Sequence, residues 1–257
     1  MKYFGMTCKS EQDWLRNYTE NVYTGDGDII ELGAWMGSYT IPLATGLMKR
    51  KFLLPHRRIH SFDRFVWESW MDEYASGVWH QWKQGQSFLP EYMKRIGYLG
   101  PYVEVHEGDL LDAIWKWPVE FICVDAMKSW ELTNAILKQF YTKMLPGGNS
   151  RVFHQDFKYE GCPWIHLVHW VLKDYFWVDP NIEYATTVIF RLHQPIPREL
   201  LMKDYSIKDF SFANIEDAFK YAHYCCGDTM SWSEIDKAEK RAIAERQSYE
   251  MAERGTD

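Results

Sequence analysis

The chain has 257 residues, of which 46% are hydrophobic and 25% charged, and its net charge is -7. This length suits a full α/β core, the negative charge disfavours a duplex nucleic-acid binder, and no run of about 18 apolar residues predicts a membrane span. The five cysteines form no Cys-x-x-Cys pair and Met1–Ser10 has no signal-peptide character, so we expect a cytoplasmic protein without a disulfide framework or structural zinc.

Strands and helices alternate along the chain after a first expected helix at Ser10–Tyr23. The expected strands are Asp28–Leu32, Arg58–Phe62, Val103–His106, Val119–Val124, Arg151–Phe153 and Thr187–Leu192. The expected helices between them are Ser38–Arg50, Trp130–Met144 and Pro163–Phe176. The last strand should form a hairpin with a segment near Trp177–Glu183. This order is typical of an α/β fold whose mostly parallel sheet binds ligands at the carboxyl ends of its strands.

Three parts are expected along the chain: an N-terminal helical segment at 1–27, a main domain at 28–195 and a mainly helical extension at 196–257. The main domain carries an aromatic-rich insertion at 66–98. Trp67, Trp70 and Tyr74 follow a helical spacing there, so the insertion is either a lid over an acceptor or ordinary packing. The extension ends in a charged helix opened by the capping-box pattern Ser231-x-x-Glu234, which either packs on its own domain or pairs two subunits of a homo-oligomer.

A glycine turn follows the first strand, at Glu31–Gly37. A dinucleotide site would read Gly-x-Gly-x-x-Gly, because the second glycine lets the backbone touch a pyrophosphate. Trp35 occupies that place here. The alternative is a tight strand-to-helix turn that needs Gly33 and Gly37 only for its backbone geometry.

Acidic residues lie at or just beyond the ends of four predicted parallel strands. They are Glu31, Asp63, Asp109 and Asp125. Such a cluster would repel a pyrophosphate and suit a ligand that carries a sulfonium, an ammonium and ribose hydroxyls. One such acid would be an ordinary solvated turn residue, but four in register favour a binding site.

Five short motifs along the chain resemble those of a known family. The motifs that carry the resemblance are Glu31-Leu32-Gly33-x-x-x-Gly37, Ser61-Phe62-Asp63-Arg64-Phe65, Glu107-Gly108-Asp109, Val124-Asp125-Ala126 and Leu145-Pro146-Gly147-Gly148. In order and spacing they resemble class I S-adenosylmethionine (SAM) dependent methyltransferases, closest to the macrocin O-methyltransferase-like branch. That branch modifies sugars and other small natural products. The resemblance implies a Rossmann-like, seven-stranded sheet with a C-terminal antiparallel hairpin, and SAM as cofactor.

The resemblance also implies which residues hold SAM. Glu31, Gly33 and Gly37 would line its methionine end, Asp63 would bind the ribose, Asp109 and Leu110 would lie near the adenine, and Asp125 would lie beside the methyl group, with Ser38 and Arg64 completing the set.

The segment after the fourth strand departs from the family pattern. In the family this segment often has the sequence Asp-Gly-Asp-His-Ser-Tyr-Glu, whereas in this chain Met127 and Lys128 replace the second Asp and the His. Metal-dependent relatives carry Asp-Asp after the fifth strand, where this chain has Gln155-Asp156. Asp125, Gln155 and Asp156 could still hold Mg²⁺ with waters, although the lost acid weakens the site.

Methyl transfer to a hydroxyl needs an aligned acceptor and often a base. The candidate catalytic residues are His154, Lys128, Asp156 and Asp125. His154 titrates nearest neutral pH, whereas Lys128 needs a lowered pKa to act as a base. The alternatives are a strand-end hydrogen bond for His154 and a solvated position for Lys128.

The expected function is SAM-dependent methylation of a hydroxyl on a small-molecule acceptor, with no nucleic-acid or membrane partner. Two alternatives remain: an NAD(P)-linked oxidoreductase, which the missing glycine and the acids disfavour, and a SAM-binding protein without turnover. A nucleic-acid amino-methyltransferase is disfavoured because the chain lacks Asn/Asp-Pro-Pro-aromatic after the fourth strand.

Overall fold

A computed structural model describes residues 7–50, 59–74, 82–227 and 232–254. Its strands are β1 Asp28–Leu32, β2 Ile59–Asp63, β3 Val103–Glu107, β4 Val119–Val124, β5 Arg151–His154, β6 Phe176–Val178 and β7 Val188–Leu192. Its α-helices are α1 Lys9–Asn17, α2 Thr40–Lys49, α3 Met71–Tyr74, α4 Leu89–Ile96, α5 Trp130–Gln139, α6 Pro163–Val171, α7 Arg198–Met202, α8 Phe212–Cys226 and α9 Trp232–Arg254.

The seven strands form one sheet in the order β3-β2-β1-β4-β5-β7-β6. Strands β1 to β5 pair in parallel, and β7 runs antiparallel to both β5 and β6. The predicted α/β class, seven-stranded sheet and terminal hairpin are therefore confirmed. Leu32 pairs with both Phe62 and Val124, so β1, β2 and β4 end in register. The strand order reverses between β1 and β4, which is where such sheets bind ligands.

Both faces of the sheet are buried, and each face has its own hydrophobic core. Ile29 and Ile30 of β1 are fully buried on opposite faces, as the continuous apolar run of a two-sided parallel strand requires. Helices α5, α6, α8 and α9 cover one face, and α1, α2 and α4 cover the other. None of the helices in the described ranges is long and apolar enough to cross a membrane.

Two predicted helices end earlier than expected. Helix α5 stops at Gln139 instead of Met144, because the chain turns back to the sheet and the Leu145 N–H donates to the Val119 carbonyl at 3.0 Å. Helix α6 stops at Val171 instead of Phe176, because Phe176 is buried and opens β6 opposite Leu192. Apolar residues recur past both stops, at Phe140 and Met144 and at Leu172 and Phe176, which hid the stops from a periodicity argument.

In its described part, the insertion packs against itself and joins the hydrophobic core on one face of the sheet. The Trp67 N–H donates to the Gln86 carbonyl at 2.8 Å, and the buried Trp67 ring lies 5.2 Å from that of Trp82. Packing therefore accounts for Trp67, while Trp70 is half exposed. Trp79, which the insertion also includes, lies outside the described residues.

The C-terminal helix α9 packs on its own chain through three fully buried residues, Ile235, Ala238 and Ala242. Ser231, the first residue of the predicted capping box, lies outside the described residues.

Candidate active site at the strand ends

The glycine turn after β1 is built against the end of β4. Gly33 has φ +90°, and a Cβ there would lie 2.9 Å from the Asp125 carbonyl oxygen. Gly37 has φ +81°, where a side chain would also strain the backbone. The turn therefore requires glycine at both positions, and it brings the backbone of β1 next to Asp125.

Asp63 is fixed at the end of β2 by backbone N–H groups. One carboxylate oxygen accepts from the Trp35 N–H of the glycine turn at 2.8 Å, and the other accepts from the Phe65 N–H at 2.7 Å. Burial raises the pKa of Asp63, and these N–H bonds oppose that rise. A carboxylate has about four acceptor positions, so this half-buried group keeps capacity for a ligand's hydroxyls.

Glu31 lies beneath the turn and is fully buried. The Thr40 hydroxyl donates to its two oxygens at 2.9 and 2.7 Å, and the Ser61 hydroxyl donates as well. Burial raises the pKa of Glu31 to about 8 against these bonds. Because its oxygens bond to α2 and β2, this geometry suits Glu31 to holding the turn in place rather than to the direct ligand contact implied by the resemblance.

The loop after β3 reaches the end of β2, since the Gly108 N–H donates to the Asp63 carbonyl at 3.0 Å. Asp109 is exposed and caps a short turn by accepting from the Leu111 N–H at 3.0 Å, while Leu110 is buried beneath it.

Ser38 and Arg64 differ in exposure. Ser38 is buried within the glycine turn. The Arg64 guanidinium pairs with Glu68 of the insertion at 2.9 Å and remains exposed. The ion pair directs this cation toward the insertion.

Lys128 lies between the ends of β4 and β5. Its ammonium donates to Asp125 at 2.9 Å and also bonds to Asp156. The side chains are 47% exposed for Lys128, 18% for Asp125 and 12% for Asp156, so the ammonium is the outermost group of the three.

Burial raises the pKa of Asp125 to about 7, and the Lys128 charge opposes that rise. The two carboxylates raise the pKa of Lys128 above its ordinary value against the effect of burial. Lys128 therefore stays protonated at neutral pH, which argues against it as a base. A charged lysine can instead donate hydrogen bonds.

The acids of the predicted Mg²⁺ set, Asp125 and Asp156, already bond a cation of the chain itself, the Lys128 ammonium. Besides the Lys128 ammonium, the Gln155 amide lies over the same carboxylates. In the orientation that satisfies its hydrogen bonds, its N–H donates to Asp156 at 3.1 Å and to Asp125 at 3.3 Å, and its oxygen accepts from Thr186. Mg²⁺ needs oxygen ligands, whereas this chain supplies donors of its own at that position. The arrangement favours the Lys128 ammonium over Mg²⁺ beside Asp125, Gln155 and Asp156, and the magnesium hypothesis stays a prediction.

His154 faces the core. It is fully buried, its Nε2 lies 3.3 Å from the Met127 sulfur, and its ring packs 5.0 Å from that of His169. Burial lowers its pKa well below the ordinary value. A base must reach the acceptor, so this placement argues against His154. Strand alternation carried the signal, since Val152, two residues earlier, faces the same core.

Sequence reasoning missed the polar groups that hold Glu31. Ser61 lies within a quoted motif and Thr40 follows the glycine turn, but neither gave a separate signal. The Tyr92 hydroxyl reaches Thr40 from the insertion at 3.1 Å. The Trp164 indole, which donates to the Met127 carbonyl at 2.8 Å, fixes the loop before Lys128 in the same way.

No family model and no curated protein matches the sequence. Among solved structures, the chain is similar to the O-methyltransferase NovP, with a TM-score of 0.56 and 18% identity over 75% of this chain and 84% of NovP. It is also similar to CalS11, a TDP-rhamnose 3'-O-methyltransferase, with a TM-score of 0.49 and 16% identity over 70% and 76% of the two chains. A third is an O-methyltransferase from Bacillus cereus in complex with SAH, with a TM-score of 0.45 and 16% identity over 74% and 84%.

Of these three similarities, that to NovP alone exceeds a TM-score of 0.5. It shows that the chain has the Rossmann-like fold of that O-methyltransferase.

Proposed function

We propose that this chain is a SAM-dependent methyltransferase that methylates a hydroxyl group of a small molecule. The observation that carries the proposal is the Asp63 carboxylate, held at the end of β2 by the N–H groups of Trp35 and Phe65 with acceptor capacity left over. An acid at this position binds ribose hydroxyls in Rossmann-like folds. NovP, which shares the fold, is an O-methyltransferase.

The glycine turn favours SAM over a dinucleotide. A pyrophosphate needs free backbone N–H groups at this turn, but the Trp35 N–H is already bonded to Asp63. The carboxylates of Asp63 and Asp125 would also repel phosphate. A cationic sulfonium and a ribose suit the same surface, so an NAD(P)-linked oxidoreductase is the weaker reading.

The proposed cofactor contacts follow the strand ends. Gly33 and Gly37 allow close approach of the methionine part, with Glu31 and Ser38 supporting the turn. Asp63 accepts from the ribose hydroxyls, and Asp109 and Leu110 flank the adenine. Asp125 lies at the methyl side. Bound SAM supplies a methyl group activated by its positive sulfur.

The acceptor side is proposed to be the group of Lys128, Asp125 and Asp156. The outward Lys128 ammonium holds the acceptor oxygen by a hydrogen bond. The Asp125–Asp156 pair takes up the hydroxyl proton as the oxygen becomes nucleophilic, and an acid with a pKa near neutral suits this task. The reaction needs no metal ion, because Lys128 supplies the positive charge.

A thermal-shift titration with SAM, SAH, NAD and NADP tests the proposal. A ligand at about 100 times its dissociation constant should raise the melting temperature by about 5–10 °C in a chain of this size. We expect this shift with SAM and SAH alone, a smaller shift for Asp63→Asn, and the parent shift for Asp217→Asn, which removes a charge from the exposed side of α8. Stabilisation by NAD or NADP alone would contradict the proposal.

Turnover is tested separately, with labelled SAM and a panel of hydroxylated sugars and phenols. We expect a methyl ether on at least one class of acceptor, and its loss in Asp156→Asn. Binding of SAM without transfer to any acceptor would favour the non-catalytic alternative.

A further inference from the structure

A second group of ligand-type side chains lies on β2 and β3, away from the strand-end site. In the parallel register, His60 pairs with Glu104 and Phe62 pairs with His106. Residues two apart on a strand face the same side of the sheet, so His60, Glu104 and His106 share one face. β3 is the edge strand of the sheet formed by the described residues.

The ligand atoms of this group converge. The Nδ1 of His60 lies 3.0 Å from the Nε2 of His106. The Glu104 carboxylate oxygens lie 3.9 Å from the first of these nitrogens and 4.0 Å from the second. In a tetrahedral zinc site with bonds of about 2.0–2.2 Å, neighbouring ligand atoms are roughly 3.3–3.5 Å apart. The two nitrogens are slightly closer than this and the carboxylate slightly farther.

The side chains differ in how firmly they are held. Both imidazoles are packed against aromatic rings: Trp115 meets His60 edge-on at 4.5 Å, and Phe62 stacks on His106 at 4.3 Å. Glu104 is 48% exposed on the edge strand and can move toward the nitrogens. Preorganised imidazoles with one adjustable carboxylate need only a small adjustment to enclose a cation.

We propose that His60, Glu104 and His106 form a site for a borderline divalent transition-metal ion, Zn²⁺ foremost, with water as the remaining ligand. Two imidazoles and one carboxylate suit Zn²⁺, whereas Mg²⁺ prefers oxygen ligands alone. Binding replaces the hydrogen bond between the facing nitrogens: the ring that donated it shifts its proton to its other nitrogen, and both facing nitrogens then bind the ion. His60 lies three residues before Asp63, about 10 Å along the strand, so this site is separate from the strand-end carboxylates.

Calorimetric titration of the untagged, metal-free chain with ZnCl₂ tests the site, with MgCl₂ as a comparison. We expect one Zn²⁺ per chain with micromolar or tighter affinity, and no heat with Mg²⁺. His60→Ala and His106→Ala should each weaken Zn²⁺ binding by at least about 10–100-fold, because changes in the outer shell alone already have that effect. The matched control is His193→Ala, since His193 also stacks on a ring, that of Trp177, but follows β7 near the other edge of the sheet.

Glu104→Gln tests the site even if the histidine variants do not fold, because replacing this exposed residue of the edge strand leaves no gap in the core. It should weaken Zn²⁺ binding while circular dichroism stays that of the parent. Co²⁺ should give the visible absorption of a four- or five-coordinate site in the parent and lose it in His106→Ala. Zn²⁺ binding that is unchanged in both histidine variants, or seen only at millimolar zinc, would overturn the proposal.

Discussion

At the carboxyl ends of the strands, two neighbouring parts of the sheet neutralise their acidic side chains in different ways. At the end of β2, backbone N–H groups hold the Asp63 carboxylate at 2.7 and 2.8 Å. At the ends of β4 and β5, a side-chain ammonium bridges Asp125 and Asp156. Backbone donors carry only partial charge, so Asp63 stays an acceptor for hydroxyls. The full positive charge of Lys128 neutralises the pair of Asp125 and Asp156 and leaves an N–H donor facing outward. The difference matches the proposed cofactor side at β2 and the proposed acceptor side at β4 and β5.

The largest effect is expected from removing the bridging cation. Lys128→Ala takes away the proposed donor to the acceptor oxygen and leaves two carboxylates to repel each other. Loss of one such preorganised donor lowers kcat by about 10²–10³-fold. SAH binding should change little, because Asp63 is untouched. Steady-state methyl transfer checks the first effect and calorimetry with SAH checks the second; a parent kcat in Lys128→Ala would remove the assigned role.

The same variant, Lys128→Ala, tests whether the lysine ammonium occupies the place of a bound metal ion. Without the ammonium, Asp125, Asp156 and the Gln155 carbonyl can turn toward a hard ion. We expect Mg²⁺ to raise the melting temperature of Lys128→Ala and to leave that of the parent unchanged. An equal shift in both proteins would show that Lys128 does not occupy the cation's place.

A smaller effect is expected on the cofactor side. Asp63→Asn keeps an oxygen for one backbone N–H but loses the charge that strengthens bonds to ribose hydroxyls. Hydrogen bonds to charged groups contribute about 1.5–3 kcal/mol, so affinity for SAH should fall by about 10–100-fold. Calorimetric titration beside Asp217→Asn measures the loss. Parent affinity in Asp63→Asn would disprove the ribose assignment.

The pH dependence of kcat/KM should follow the acceptor side. Burial raises the pKa of Asp125 to about 7, so below that pH Asp125 holds a proton that it must lose to serve as a base. The rate should therefore rise about tenfold per pH unit up to about 7 and then level off, because Lys128 keeps its proton. A rate that falls between pH 5 and 7 would exclude this assignment.

The smallest expected effect is that of a chelator. EDTA should leave the methyl-transfer rate of the parent within about twofold, because the site carries its own positive charge where hard-ion enzymes hold their metal. A rate lost in EDTA and restored by Mg²⁺ would place a metal on the acceptor side after all.

The sequence predicted the sheet and the strand-end acids because both depend on local patterns. The segment Val119–Val124, apolar except for Glu120, predicts a buried strand that Asp125 follows directly, and Asp63 is the last residue of β2. Local patterns also suggested Asp156, whose side chain indeed joins that of Asp125 through Lys128.

The remainder of the site depends on contacts between distant segments. The bridge from Lys128 to Asp156 spans 28 residues, and no local rule shows that a lysine will fill a cation's place. The burial of Glu31 depends on Tyr92 and Thr40, which come from different helices. The core position of His154 could have been predicted from the sequence, because strand alternation places it on the same face as Val152.

Calorimetric titration of the parent chain with SAH tests the central claim most directly, because it asks only whether the Asp63 side of the sheet edge binds the demethylated nucleoside. We expect one SAH bound per chain, with an affinity that is at least tenfold lower in Asp63→Asn and unchanged in Asp217→Asn. Absence of binding to SAH and to SAM in the folded parent would contradict it.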